Sequence, residues 1–92
     1  MSATTTAYEE VFGGRRILVT GGAGFVGGAV VRRLVASGSD VTVLDDLFTG
    51  LRETVPAPAR FVEGSVTDQA LVRDLVAEAE LVFHMAARNI IA

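Results

Sequence analysis

The stretch TGGAGFVG, residues 20–27, decides how this chain folds. Gly22, Gly24 and Gly27 match the spacing G-x-G-x-x-G, and Gly21, Gly24 and Gly27 match G-x-x-G-x-x-G. Such a pattern is informative only where it follows a strand and opens a helix. In that setting one glycine allows a tight turn, one lets the backbone approach a phosphate closely, and one lets the helix pack against the strand.

The residues on either side of the glycines supply that setting. Upstream, RILVT at residues 16–20 is a β-branched, apolar run, which favours a strand buried on both faces. Downstream, apolar residues recur at helical spacing as far as Ser37-Gly38, where glycine suits the end of a helix. The apolar stripe predicted for this helix comprises Val26, Ala29, Val30, Leu34 and Val35.

The rest of the chain continues the alternation of strand and helix. The predicted elements are strands at residues 41–44, 61–63 and 81–85, a short helix at 51–55, and a longer helix capped by Thr67 or Asp68. Alternating elements joined by right-handed crossovers form a parallel sheet. We therefore predict an α/β fold with strand order 3-2-1-4, flanking helices, and the glycine turn at the carboxyl ends of the strands.

An acidic residue follows the second predicted strand at the distance that a dinucleotide site requires. Asp45 lies 21 positions after Gly24. A carboxylate about 20 residues beyond the glycines accepts hydrogen bonds from the adenosine ribose hydroxyls and repels a 2′-phosphate. No arginine directly follows Asp45, and the nearest downstream is Arg52. The residues favour NAD over NADP, and a flavin dinucleotide, which shares the glycine pattern, is a third alternative.

Composition narrows the class of protein. The 92 residues suffice for one domain, and the absence of Cys excludes disulfides and Cys-based metal sites. His84 is the single His, so a metal site built from His alone is also excluded. A net charge of −3 gives no general attraction to nucleic acid, and no apolar run approaches the ~20 residues that span a bilayer. We expect a cytoplasmic α/β unit that binds neither nucleic acid nor membrane.

Four segments resemble the extended short-chain dehydrogenases/reductases, and within them the NAD-dependent sugar-nucleotide epimerases, dehydratases and decarboxylases. The segments are TGGAGFVG (20–27), VTVLDDLFTG (41–50), EGSVTD (63–68) and LVFHMAA (81–87), and the resemblance extends over residues 15–89. It implies a Rossmann-type sheet that is incomplete relative to the family fold. It also implies NAD as the cofactor and a sugar nucleotide as the substrate of the parent enzyme.

The resemblance also implies site residues. The glycine loop would hold the pyrophosphate through Gly21, Gly24, Phe25, Val26 and Gly27. The segment D-x-x-x-T-G would surround the adenosine ribose and its phosphate through Asp45, Asp46, Phe48, Thr49 and Gly50. Ser65 and Val66 would flank the adenine, where the family usually has Asp before an aliphatic residue, and Met85, Ala86 and Ala87 would lie beneath the nicotinamide side. A serine hydroxyl binds the adenine amino group more weakly than a carboxylate does.

The family's chemistry uses a Tyr-x-x-x-Lys pair, in which the Lys lowers the Tyr pKa so that the phenolate can take a proton. This chain contains no Lys, and Phe12 stands at the fourth position after Tyr8. We expect residues 1–13 to form a flexible leader, with at most one helical turn near its end. Residues 14–92 are expected to form the N-terminal part of an NAD-binding domain.

Two function classes stay open. The chain is either the NAD-binding portion of an epimerase, dehydratase or decarboxylase, without the catalytic pair and the substrate domain, or a stand-alone, non-catalytic dinucleotide-binding module. The apolar end NIIA at residues 89–92 favours the first.

His84 is expected to be a buried, hydrogen-bonded structural residue, and Arg88 and Asn89 to be solvated or to touch the cofactor. The apolar outer edge of the fourth strand is expected to promote self-association.

Overall fold

The computed structural model describes residues 9–48 and 50–86, which form one four-stranded sheet with helices on both faces. The elements are β1 (Arg16–Thr20), α1 (Phe25–Ala36), β2 (Asp40–Asp45), a 3-10 helix (Arg52–Thr54), β3 (Arg60–Glu63), α2 (Gln69–Glu78) and β4 (Leu81–His84). All three strand pairs are parallel, in the order β3-β2-β1-β4. The predicted fold class and strand order are confirmed.

The two central strands form the core because all their apolar side chains are buried. Ile17, Val19, Val41 and Val43 project to one face of the sheet, where they pack against α1. These side chains are mostly β-branched, and branched side chains fill a pleated surface well. The glycine turn leaves the carboxyl end of β1 at the centre of this sheet.

Helix α1 is rotated relative to the predicted apolar stripe. Val31 is fully buried, whereas Val26 is 60% exposed and Ala29 lies on the exposed side. Gly27 and Gly28 occupy the buried face in the first turn. Because they have no side chains, the helix approaches the glycine turn with this face, and Val26 turns outward. The stripe was predicted from the larger apolar residues, but the close approach that Gly27 and Gly28 allow sets the rotation of the helix.

Helix α2 covers the opposite face of the sheet and begins at Asp68. The Asp68 carboxylate accepts a hydrogen bond from the backbone N–H of Leu71 at 3.2 Å, so Asp68 is the cap rather than Thr67. No residue of α2 is fully buried, and Val76 remains exposed. Val82 on β4 lies on the face of the sheet opposite to Phe83 and is 45% exposed. Apolar surface therefore stays uncovered beside β4.

Residues 9–12 form a helical turn that packs against the sheet. The ring of Phe12 meets that of Phe83 edge to face with centroids 5.9 Å apart, and the carbonyl of Phe12 accepts a hydrogen bond from the Ser39 hydroxyl. This turn lies where one helical turn was expected at the end of the leader, and the contact of Phe12 with Phe83 holds it against the sheet. Residues 1–8 lie outside the described part of the chain.

Candidate functional site

A cleft of about 280 Å³ lies at the carboxyl ends of the strands. Open parallel sheets bind ligands at this edge, where neighbouring crossovers leave in opposite directions. The cleft lies between the glycine turn and the ends of β2, β3 and β4. Its lining residues are Gly21, Gly24, Phe25, Val26, Gly27, Leu44, Asp45, Asp46, Phe48, Gly64, Val66, Met85 and Ala86.

Three glycines of the sequence pattern, two in the turn and one in the first turn of α1, are required by the protein's own packing. Gly21 has φ +74°, and a Cβ there would lie 2.7 Å from the backbone nitrogen of Ala86. A Cβ on Gly22 would lie 2.6 Å from the Val43 side chain, and one on Gly27 would overlap the carbonyl oxygen of Gly21. These contacts hold α1, β1 and the end of β4 closer together than any side chain would allow.

Gly24 is different, because the protein leaves room for a side chain there. Its φ is −82°, which any residue can adopt, and the one atom that a Cβ would approach among the described residues is the Gly21 oxygen at 3.5 Å. Gly24 lines the cleft and is the N-cap of α1. No contact with a described residue requires a glycine at this position, and its absent side chain leaves the backbone open to close approach by a ligand.

The N-terminus of α1 faces this space without a side-chain cap. Gly24 provides no side-chain cap, and the first turn contains no acidic residue. The first backbone N–H groups of a helix have no partner within the helix and carry the positive end of its dipole. Together with the open space at Gly24, they fit a phosphate group.

Asp45 is buried, with 8% of its surface exposed, and both carboxylate oxygens are already engaged. One accepts a hydrogen bond from Ala23 N–H at 2.9 Å, and the other accepts one from Leu47 N–H at 2.7 Å. Leu47 adopts φ 60°, an uncommon conformation for a residue with a side chain. The predicted ribose acceptor therefore also connects β2 to the glycine turn, which spacing alone did not reveal.

The connection between β2 and β3 contacts the glycine turn, residues 21–24, at Ala23. The Ala23 carbonyl oxygen accepts hydrogen bonds from Leu51 N–H at 3.2 Å and from the Thr54 hydroxyl at 2.9 Å. A Cβ on Gly50 would lie 2.6 Å from that same oxygen. This contact holds the connection close to the cleft, and Asp46 and Phe48 of the same connection form part of the cleft lining.

The structure brings most of the predicted site residues together, but not all of them. The predicted residues that line the cleft are Gly21, Gly24, Phe25, Val26, Gly27, Asp45, Asp46, Phe48, Val66, Met85 and Ala86. Gly50 packs beneath Ala23 instead, and Ser65 accepts a hydrogen bond from Thr67 N–H and pairs with the Thr67 hydroxyl at 2.7 Å. The predicted residues Thr49 and Ala87, together with Arg88 and Asn89, lie outside the described residues.

Sequence reasoning missed two residues that line the cleft, Leu44 and Gly64. Each lies at the carboxyl end of a predicted strand, and that position was the available signal. A Cβ on Gly64 would lie 2.5 Å from a methyl group of Leu71, so a glycine there lets α2 approach the sheet.

Two basic residues considered in the sequence lie away from the cleft lining. His84 is exposed rather than buried, although its Nδ1 shares a 2.7 Å hydrogen bond with the Thr20 hydroxyl as expected of a structural residue. The Arg52 guanidinium lies over the ring of Phe61, 5.1 Å from its centroid. Among the residues that the structure describes, the ionisable side chains in the lining are the two carboxylates Asp45 and Asp46.

Residues 9–48 and 50–86 contain no group of His, Asp and Glu placed to hold a metal ion. No helix within that part of the chain has the length and apolar character needed to cross a bilayer.

The chain is similar to known proteins over most of its length. The sequence profile of the NAD dependent epimerase/dehydratase family matches residues 17–92. UDP-glucose 4-epimerase from Corynebacterium glutamicum is 46% identical over 78 residues, which are 83% of this chain and 23% of that protein. dTDP-glucose 4,6-dehydratase from Mycolicibacterium smegmatis is 50% identical over 80 residues, covering 80% of this chain and 24% of that protein.

A solved structure shows the same arrangement with a dinucleotide present. The Bordetella bronchiseptica enzyme WbmG, in complex with NAD, superposes with a TM-score of 0.74 at 38% identity. The match covers 82% of this chain and 26% of WbmG. The chain thus spans about a quarter of the length of the proteins that it matches.

Proposed function

The chain belongs to the NAD dependent epimerase/dehydratase family, and on that premise we propose that its cleft binds NAD as the cofactor-binding portion of a sugar-nucleotide epimerase, dehydratase or decarboxylase. The observation that carries the proposal is Gly24, whose missing side chain is required by no contact with the described residues and leaves space at the N-terminus of α1. A pyrophosphate is the chemical group that suits this space.

The order of the strands suggests how the residues would divide the cofactor between them. The N-terminus of α1 would hold the pyrophosphate, and Asp45 at the end of β2 would accept the ribose hydroxyls. The adenine would then extend toward β3, beside Gly64 and Val66, and the nicotinamide toward Met85 and Ala86 beyond β4. Bound NAD supplies a nicotinamide ring that accepts and returns a hydride.

Preference for NAD over NADP is part of the proposal. Asp45 and Asp46 place two carboxylates in the cleft lining, and a carboxylate beside the ribose repels a 2′-phosphate. Arg52 lies against Phe61 rather than in the lining, so it offers no charge to such a phosphate.

A stand-alone, non-catalytic module is the second candidate, and the absence of Lys agrees with both candidates. Without Lys, these 92 residues contain no Tyr-x-x-x-Lys pair. Both candidates bind NAD through the same residues. The mass of the protein isolated from its source, together with the reading frame beyond Ala92, distinguishes them.

Replacing Gly24 by alanine tests the proposed site. We expect NAD to bind the parent chain and the Gly24→Ala variant to lose about tenfold or more in affinity, because the added methyl group occupies the space for the phosphate. The fold should survive, with the free energy of unfolding changed by about 1 kcal/mol or less, since φ and the surrounding space tolerate a Cβ. Isothermal titration and urea unfolding measure the two quantities.

The matched control is Gly28→Ala, four residues along the same helix and outside the cleft lining. A Cβ there would meet the Arg32 guanidinium at 3.4 Å and nothing of the cleft. NAD affinity should stay within about twofold of the parent, which is below the effect of one hydrogen bond. The proposal fails if the parent chain binds no NAD, or if Gly24→Ala binds NAD as tightly as Gly28→Ala does.

We also propose that β4 mediates self-association. Within the described residues its outer edge has no strand partner, and Val82 is 45% exposed beside it. Sedimentation velocity on a dilution series should show a mass that rises with concentration, and Val82→Lys should reduce the association because a charge opposes edge pairing. Val11→Lys, which changes a valine that is 53% exposed on the N-terminal helical turn, is the control. A monomer at all concentrations would contradict this proposal.

Three further expectations remain proposals. The substrate of the whole protein is proposed to be a sugar nucleotide, because the relatives that the chain matches are named for UDP-glucose and dTDP-glucose. Residues 14–92 are proposed to be the N-terminal part of the NAD-binding domain. The location is proposed to be the cytoplasm, and fractionation of the source cells tests it.

A further inference from the structure

The backbone of Ala23 is held from two sides, by residues far away in the sequence. Its N–H donates to Asp45 at the end of β2, and its carbonyl oxygen accepts from Leu51 N–H and the Thr54 hydroxyl. We call these four residues, Ala23, Asp45, Leu51 and Thr54, the Ala23 junction. Ala23 itself is 2% exposed. Ala23 immediately precedes Gly24, which lines the proposed phosphate site.

Thr54 contributes to the junction from outside the cleft. It ends the 3-10 helix and does not line the cleft. Its hydroxyl oxygen lies 2.9 Å from the carbonyl oxygen of Ala23 and 2.7 Å from that of Leu51, so its single hydrogen is shared between the two acceptors. The hydroxyl therefore joins the end of the connection to the glycine turn, across 31 positions of sequence.

The planarity of the peptide bond transmits this contact to the site. In a trans peptide the carbonyl and the following N–H point in opposite directions. The orientation of the Ala23 carbonyl therefore also sets that of Gly24 N–H, which donates to the Gly21 oxygen at 3.2 Å. This bond orients the entry into α1, whose free N–H groups face the cleft.

We propose that Thr54 is a positioning residue of the cofactor site, which acts by holding the Ala23 carbonyl and thereby the first turn of α1. The inference rests on the proposed function, because the site that it positions is the NAD site. Thr54 touches neither the cleft nor any residue of the first turn of α1 through its hydroxyl; its effect passes through Ala23.

The test replaces Thr54 by valine, which keeps the shape of the side chain and removes the hydroxyl. The fold should be retained, because the Ala23 carbonyl keeps its bond from Leu51 N–H. NAD affinity should fall about fivefold, the effect of one net hydrogen bond. Thr54→Ser, which restores the hydroxyl, should return the affinity to within about twofold of the parent.

A spectroscopic readout on the ligand-free chain makes the test independent of NAD binding. The backbone amide resonance of Gly24 should shift in Thr54→Val and return in Thr54→Ser. Thr42→Val is the matched control, because Thr42 lies on β2 beside a separate cleft at the opposite end of the sheet. That variant should leave both the Gly24 resonance and NAD affinity unchanged.

The possible results separate the two proposals. If the parent chain binds no NAD, the proposed function fails, and an unmoved Gly24 resonance in Thr54→Val would then overturn the positioning role as well. If the parent binds NAD and Thr54→Val binds it equally well, the positioning role is overturned while the proposed function stands. A loss in Thr54→Val that Thr54→Ser does not rescue also overturns it, because a missing hydroxyl would not then be the cause.

Discussion

Replacing Gly27 by alanine is expected to destabilise the chain by roughly 3 kcal/mol, whereas the same change at the next residue should be neutral or stabilising. A Cβ on Gly27 would overlap the carbonyl oxygen of Gly21 and lie 2.8 Å from its carbonyl carbon. Both atoms belong to the backbone of the glycine turn, which cannot move without shifting α1 relative to β1. Urea unfolding followed by far-ultraviolet circular dichroism measures the difference.

Gly28→Ala is the control for this prediction because both positions lie on the buried face of α1. A Cβ on Gly28 would meet the end of the Arg32 side chain at 3.4 Å, and that flexible group can move. Alanine is also favoured over glycine within a helix by up to about 1 kcal/mol. Equal unfolding free energies for the two variants would show that the close approach of α1 to the turn is not required.

The second large effect is expected from Asp45→Asn, which should lower both the free energy of unfolding and the preference for NAD over NADP. The carboxylate accepts hydrogen bonds from Ala23 N–H and Leu47 N–H in a buried setting. An amide of the same shape offers one acceptor and turns its NH₂ group toward the other donor, so we expect a loss of roughly 2 kcal/mol in unfolding free energy without any ligand. Chemical unfolding of the ligand-free variant measures this loss.

The same variant should change cofactor selectivity. We expect the parent to bind NAD about tenfold or more tightly than NADP, and Asp45→Asn to bring the two affinities within about threefold, because the charge that repels a 2′-phosphate is gone. Asp40→Asn is the control at the opposite end of β2. Asp40 pairs with Arg60 at 2.9 Å on the surface, and exposed pairs contribute about 1 kcal/mol or less.

Two outcomes would contradict the role assigned to Asp45. Tighter binding of NADP than of NAD by the parent chain would show that the carboxylate does not face the ribose. Unchanged stability in Asp45→Asn would show that the bonds to Ala23 and Leu47 contribute nothing to the fold. The Asp40→Asn control should leave the ratio of the two affinities at its parental value.

The order of elements and the place of the site could be predicted because both depend on short-range patterns. Apolar runs of four or five residues, a turn of glycines and the spacing from Gly24 to Asp45 are visible in a single pass along the chain. Right-handed crossovers then leave few topologies, so the parallel order 3-2-1-4 followed from the alternation alone. The carboxyl ends of the predicted strands indicated the edge of the sheet where the cleft lies.

What each residue does within the site was decided by the tertiary structure. The glycine pattern predicted that its last member allows the helix to pack against the strand, but only the structure shows which backbone atoms Gly27 approaches and that Gly24 leaves open space. The rotation of α1 toward its glycines, the hydrogen bond from Ala23 to Asp45 and the contact of Thr54 with Ala23 likewise went unpredicted. The physical reason is that the last two join residues 22 and 31 positions apart, and neither periodicity nor spacing records which backbone atoms meet when the chain folds.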